Sequence, residues 1–371
     1  MIMPPVRRTR GPIRTPRRRS RGRKSARCVR VLRAGKGEDT VAFRGMEECS
    51  TPAERAETAE KHHEAASPAL AFDTEVPEQI YQALWLEDGH GASSAAPVTD
   101  ALDAAWANGW RIGAVAYSRV LSPVAAAWSA RIRTRLKVPG LRVARPIYST
   151  DGRFVVAGWR ADSWVQGVVS RRVDETVAAA LRLDSVLAGH SIPEHALLAP
   201  EECTDPYSRA DRLAAQTTLH PQDDVAVHRA LTAIPAAAQL CHADMLGTTI
   251  YSGANPPVLT DVVATARPRG YTAALAMVDG LLGGFVDEDI IDRYVDEIPH
   301  LRTLMLLGLR YRIILDAELR VISAGDSSVF ERYEKAEELI NAARVATPIV
   351  GKKEFRSNIE RVREAIVTRT V

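Results

Sequence analysis

With 371 residues, 46% of them hydrophobic, the chain is long enough for two folded units and has ample material for a core. Its net charge of +3 hides an asymmetry: residues 1–36 hold 14 Lys and Arg and no acid, leaving 35 basic against 46 acidic residues in the remainder, a net of −11. Four scattered cysteines (Cys28, Cys49, Cys203, Cys241) argue against a disulfide framework or a zinc site and fit a reducing, cytoplasmic setting.

No uninterrupted apolar run reaches the ~18 residues of a membrane span, and the best one, 273–286, is broken by Asp279. The paired arginines at 16–20 are followed by a charged stretch instead of an apolar export core, so export is not expected. Residues 1–36 are Arg, Pro, Gly and Ser punctuated by isolated aliphatics, a composition that cannot offset the entropy of ordering. They read as a solvated, disordered tail, or an upstream extension with Met46 as a later start. The competing reading is an electrostatic tether for nucleic acid or another anionic surface. Residues 52–66 have the composition of a short exposed helix, and the adjacent His62 and His63 point to different sides of it, so they cannot share a metal ion. Residues 1–75 are thus a basic tail and an acidic linker.

Folded structure is expected from Val76, where Pro77 opens a helix with Ile80, Ala83, Leu84 and Leu86 on a helical period. Three β-type runs follow, at 110–117, 141–148 and 154–159, with an Ala-rich helix at 123–136 between the first two. Helical patterns then cover 173–187, 205–218, 225–234, 271–282, 287–295, 301–319, 328–345 and 353–368. Strands first and helices after predict an α+β protein of two lobes: a β-rich one over 76–164, a helical one over 165–325, and a helical extension over 326–371.

The stretch that carries chemistry is Leu240-Cys241-His242-Ala243-Asp244-Met245-Leu246-Gly247-Thr248-Thr249, followed by Asp261 in Pro257-Val258-Leu259-Thr260-Asp261. Phosphoryl transfer asks little covalent chemistry of a protein and a great deal of charge neutralisation and alignment. Asp244 suits the base that takes the proton of a substrate hydroxyl, and His242 braces its loop. Thr249, five residues on, and Asp261, at the end of a strand, offer hard oxygens for Mg²⁺. The bland alternative is that His242 and Asp244 cap a turn before a hairpin. Asp279, alone in an apolar helix, either hydrogen-bonds backbone N–H groups around His242 or lies exposed. Trp106, Trp110, Trp128, Trp159 and Trp164 read as core packing of a short sheet.

On these residues the chain resembles the aminoglycoside phosphotransferase and choline kinase superfamily, whose lobes resemble protein kinases. More closely, it resembles a family of uncharacterised actinobacterial phosphotransferase-like proteins. The match runs through Gly109-Trp110-Arg111-Ile112-Gly113, Ala127-Trp128-Ser129-Ala130, Arg267-Pro268 and the string Ser149-Thr150-Asp151-Gly152-Arg153-Phe154-Val155-Val156-Ala157-Gly158-Trp159-Arg160-Ala161-Asp162. The resemblance covers about residues 76–320. It implies a bilobal protein-kinase-like fold, with a small antiparallel-sheet N-lobe and a larger helical C-lobe. ATP is then expected between the lobes against the 155–159 strand, near Val156 and Gly158.

The chain departs from that pattern in two places. The first strand lacks the superfamily's phosphate-binding Lys; Ser118 stands roughly there, with Arg111 and Arg119 nearby as substitutes. From Ala104 to Thr150 there is no acid to build the usual Lys–Glu pair, only eight basic residues, of which Arg131, Arg133, Arg135 and Lys137 read as a solvated helix face. Two functions follow: an ATP- and Mg²⁺-dependent phosphotransferase acting on a small-molecule acceptor, or a degenerate nucleotide-binding or scaffold protein without turnover. A third is a nucleic-acid factor working through the basic tail; no membrane partner is expected.

Overall fold

The structure, a computed structural model, describes residues 76–84, 99–216, 238–323 and 352–368. The readings of the basic tail, Met46, residues 52–66, His62 and His63, and the helices at 225–234 and 328–345 lie outside the described residues. No described helix is long and apolar enough to cross a membrane.

The fold is α+β. It begins with α1 (Glu78–Ala83), introduced by Pro77, whose Ile80 and the following Leu84 are buried on a sheet. That sheet contains β1 (Thr99–Ala101), β2 (Trp110–Ile112), β3 (Val115–Arg119), β5 (Pro146–Ile147) and β6 (Trp159–Ser163), all antiparallel in the order β1-β2-β3-β6-β5. Side chains alternate along β3 and β6. Val115, Tyr117, Trp159 and Ala161 pack with Ile147 against α1, while Ala116 packs on the other side with Trp106, Ala144, Ile250 and Val258. Helix α2 (Pro123–Arg135) follows β3. Ser122 caps it by accepting from the Ala125 amide at 3.3 Å, and Pro123 takes the first helical position, where no N–H is needed.

All three expected strands are redrawn. The 110–117 run is a hairpin, β2 and β3, turning at Gly113 and Ala114. The 141–148 run divides between sheets: β4 (Arg142–Val143) pairs in parallel with β10 (Val258–Leu259), whereas β5 joins β6 with Pro146 on an edge, where its missing donor costs nothing. The 154–159 run is a tight turn. Val156 and Trp159 exchange both backbone hydrogen bonds at 2.9 Å around Ala157 (φ 47°) and Gly158 (φ 79°), a left-handed pair that matches strand twist; β6 begins only at Trp159.

A second sheet, in the order β4-β10-β9-β7, adds β7 (Val168–Val169) and β9 (Thr249–Tyr251). A third pairs β8 (Gln239–His242) with β11 (Ala264–Arg267). The helical part contains α3 (Val173–Leu187), α4 (Pro206–Ala215), α5 (Tyr271–Leu282), α6 (Asp289–Tyr294), α7 (Leu301–Ser323) and α8 (Lys352–Thr368). Helix α5 is buried along its whole length and packs against α3, α7, α8 and β8, as expected of a helix apolar on every side. The largest apolar cluster surrounds it.

Candidate functional site

Strand β8 delivers His242 to the register position opposite Ala264 and then releases the chain into the turn that carries Asp244. The His242 ring is completely buried and has two partners. Nδ1 accepts from the Val263 amide at 2.9 Å, so Nε2 carries the hydrogen and donates to Thr248 Oγ1 at 2.8 Å. Thr248 Oγ1 donates in turn to the Asp244 carbonyl at 2.6 Å. Burial lowers the His242 pKa to about 4, so the ring is neutral. It acts as a brace between the Asp244 turn and the segment that follows Asp261, as the sequence suggests.

The amide of His242 is held from beneath, though not by Asp279. It donates to Thr272 Oγ1 at 3.0 Å, and Thr272 donates to Asp184 Oδ1. Asp184 Oδ2 accepts from the Gly270 amide at 2.9 Å, and burial raises the Asp184 pKa to about 6. Asp279 instead grips Arg312 of α7, whose Nε and Nη2 donate to its two oxygens at 2.7 and 2.6 Å. The same Nη2 reaches the Ala243 carbonyl at 3.5 Å and stands 3.6 Å from Asp244 Oδ1. Asp279 therefore supports the loop through an arginine, neither at backbone N–H groups nor as an exposed side chain.

The Asp244 carboxylate is 42% exposed. A Cβ on Gly247 would lie 2.7 Å from both of its oxygens, so any side chain there would force the carboxylate to move. Partial burial raises the Asp244 pKa; Arg312 and a hydrogen bond from the Gly247 backbone oppose this, and the charge of Asp261 adds to it. Asp261 is close enough to be felt. Its own carboxylate is 23% exposed and surrounded by donors: Oδ1 accepts from Ser129 Oγ and from the Val262 amide at 2.8 Å, and Oδ2 accepts from Arg160 Nη1 at 2.5 Å. Burial pushes its pKa up, but Arg160 and Arg133, with the hydrogen bonds of Ser129 and Arg160, hold it below the usual carboxylate range. Thr249 lies opposite Leu259 on β9, 1% exposed, and its Oγ1 has no hydrogen-bond partner among the described residues.

Arg133 is not on a solvated face. It is fully buried in α2, with Nη1 donating to Asp162 Oδ1 at 2.7 Å and to the Ala144 carbonyl at 3.2 Å, and Nε donating to Ser129 Oγ at 3.2 Å. Arg131, Arg135 and Lys137 are exposed, as expected. A helix–strand ion pair thus exists with its polarity reversed: the helix supplies the cation and β6 supplies the acid.

Of the residues expected to meet a nucleotide, Arg111 lies 3.6 Å above the Trp164 ring, donates to the Gly113 carbonyl at 2.9 Å and stands 3.6 Å from Asp100. Arg119 is exposed, 5.5 Å from the Trp159 ring. Val156 has spent its amide and carbonyl on the turn, and the Gly158 carbonyl accepts from the Val120 amide at 2.9 Å. The residues that sequence reasoning missed are Arg160, Asp162, Arg312, Asp184 and Thr272. Arg160 and Asp162 had a usable signal, because alternate positions on one strand share a face. Compared with known proteins, the chain matches no family model and no curated sequence.

Proposed function

We propose that the surroundings of Asp244 and Asp261 form a phosphoryl-transfer site of kinase-like design, in which Asp244 takes the proton from a hydroxyl of a small-molecule acceptor and ATP is the donor. One observation carries the reading: Asp244 is a part-open carboxylate of raised pKa, set beside Gly247, and near enough to an ionised Asp261 to feel its charge. A raised pKa suits a group that must accept a proton near neutral pH. Support also comes from the layout, an antiparallel sheet carrying one helix ahead of a helical body, with segment 164–167 leading from β6 to β7. The resemblance to actinobacterial phosphotransferase-like proteins points the same way.

Mg²⁺ is the ion this reading calls for, and Asp261 and Thr249 are its candidate ligands. Asp261 stays ionised and offers hard oxygens, and Thr249 Oγ1 is an enclosed hydroxyl with no partner among the described residues. Asp261 and Thr249 would hold the ion, which when bound neutralises charge on the transferring group. The protein's own part is to seat Asp244 by Gly247 and Arg312 and to fix the turn through His242.

A second reading, nucleotide binding without turnover, is favoured by the crowding of Asp261, whose oxygens already accept from Arg160, Ser129 and the Val262 amide. ADP formation from ATP and Mg²⁺ with a panel of hydroxylated and amino-bearing metabolites separates the two. Turnover that drops at least ~100-fold in Asp244→Asn supports transfer. ATP binding with no ADP formed above background supports the second reading.

A further inference from the structure

The β3 position where a phosphate-binding lysine is expected is Ser118, and its hydroxyl is turned away, donating to the Trp106 carbonyl at 2.7 Å. The residue directly opposite Ser118 on the neighbouring strand is Arg160. Opposed residues of an antiparallel pair share one face of the sheet. Here that face looks away from α1, toward the second sheet, because Val115, Tyr117, Trp159 and Ala161 occupy the other side.

Arg160 projects from this face to Asp261, with Nη1 2.5 Å from Oδ2, while its Nε lies 3.6 Å from Asp162 Oδ2 without a hydrogen bond. Its side chain is 6% exposed, and Nε has no partner among the described residues. A guanidinium carries five N–H donors, so the single bond to Asp261 leaves most of its capacity unused. Arg133, itself held by Asp162, stands behind Asp261 at 3.8 Å and adds a second positive charge to the same wall.

We propose that Arg160 is the residue that grips the nucleotide's phosphates, supplying from β6 the cation that β3 lacks, with Asp162 and Asp261 aiming its guanidinium. This rests on the reading of the surroundings of Asp244 and Asp261 as a phosphoryl-transfer or nucleotide-binding site, and it displaces Arg111 and Arg119 as phosphate contacts. Arg111 is committed to Trp164, Gly113 and Asp100, and Arg119 lies at an exposed position beside Trp159. A planar guanidinium suits two phosphate oxygens at once, so lysine at 160 should substitute only in part.

The test is calorimetric and thermal-shift titration of the full chain with ATP, with and without MgCl₂. Arg160→Gln should weaken ATP binding by at least ~tenfold and Arg160→Lys by less, while Arg111→Gln and Arg119→Gln stay within about twofold of wild type. Because Arg160→Gln leaves the buried Asp162 and the part-exposed Asp261 less well compensated, its fold is checked by circular dichroism, and Arg160→Lys, which keeps the charge, carries the test where Arg160→Gln does not fold: a folded Arg160→Lys with unchanged ATP affinity overturns the assignment. Ser118→Lys in the Arg160→Gln background places a cation on the opposing position of the same face and should restore binding. Unchanged ATP affinity in a folded Arg160→Gln, or loss confined to Arg111→Gln or Arg119→Gln, overturns the assignment of Arg160 alone. No response of the wild type to ATP under either condition overturns the reading of the site as well.

Discussion

Arg312 and Asp279 form a two-point ion pair, at 2.7 and 2.6 Å, between α7 and α5, and the Arg312 Nη2 that binds Asp279 also stands 3.6 Å from Asp244. Both side chains are almost wholly enclosed. Removing one member of such a pair strands the other as a buried charge, which costs about 3–5 kcal/mol. Asp279→Ala should therefore lower stability by roughly that amount in denaturant titration, and Arg312→Met by a similar amount. Arg312→Lys keeps the charge but loses the two-point grip, and should reduce turnover more than it reduces stability.

Gly247 is required by the carboxylate beside it. A methyl group there would sit 2.7 Å from both Asp244 oxygens, closer than atoms tolerate, and the carboxylate would have to swing away. Gly247→Ala should keep the fold, at a cost of about 1–3 kcal/mol, and reduce turnover nearly as far as Asp244→Asn does. Circular dichroism and ADP formation measured side by side check this.

Two groups around the Asp244 turn give opposite pH signatures. His242 has its pKa lowered from 6.5 to about 4, so its contribution to stability is complete above pH 6.5 and is lost as pH falls toward 4. Asp184 has its pKa raised from 3.8 to about 6, so its contribution is complete below pH 3.8 and is lost as pH rises toward 6. Between pH 4 and 6 the two slopes offset each other. Relative to wild type, His242→Gln should lose stability as pH rises through this window, and Asp184→Asn should gain it, each by up to about 1.4 kcal/mol per pH unit. Urea titrations at half-unit pH steps would resolve both slopes.

Arg133 and Asp162 tie α2 to β6 with neither side chain more than 1% exposed. Arg133→Met and Asp162→Leu should each destabilise the protein by about 3–5 kcal/mol, whereas the double variant should cost clearly less than their sum, because no buried charge is left alone. Strict additivity would show that the pair is not coupled.

How much was legible in the sequence depended on how local the cause was. Helices α3 and α5 match their apolar periodicity end to end, and α2 ends one residue early, because each buries a face written within its own 12 to 15 residues. The strands were misread since two short strands around a two-residue turn look like one long run, as at Gly113. The left-handed Ala157 also gave no warning, because alanine rarely adopts that backbone. His242, Asp244 and Asp261 were singled out by their spacing along the chain, and the structure sets them near one another. Arg133 could not be, because what turns it inward is Asp162, 29 residues away. The same holds for Arg312, whose partners lie 33 and 69 residues earlier.

The claim on which the rest depends is that Asp244, Asp261 and Arg160 form one site that receives the phosphate end of a nucleotide. The most direct measurement is a crystal structure of the full chain with a non-hydrolysable ATP analogue and Mg²⁺. The account expects the terminal phosphates within hydrogen-bonding distance of the Arg160 guanidinium, with the γ-phosphate facing Asp244. An analogue bound elsewhere on the molecule, or carboxylates of Asp244 and Asp261 that point into separate surfaces, would contradict it.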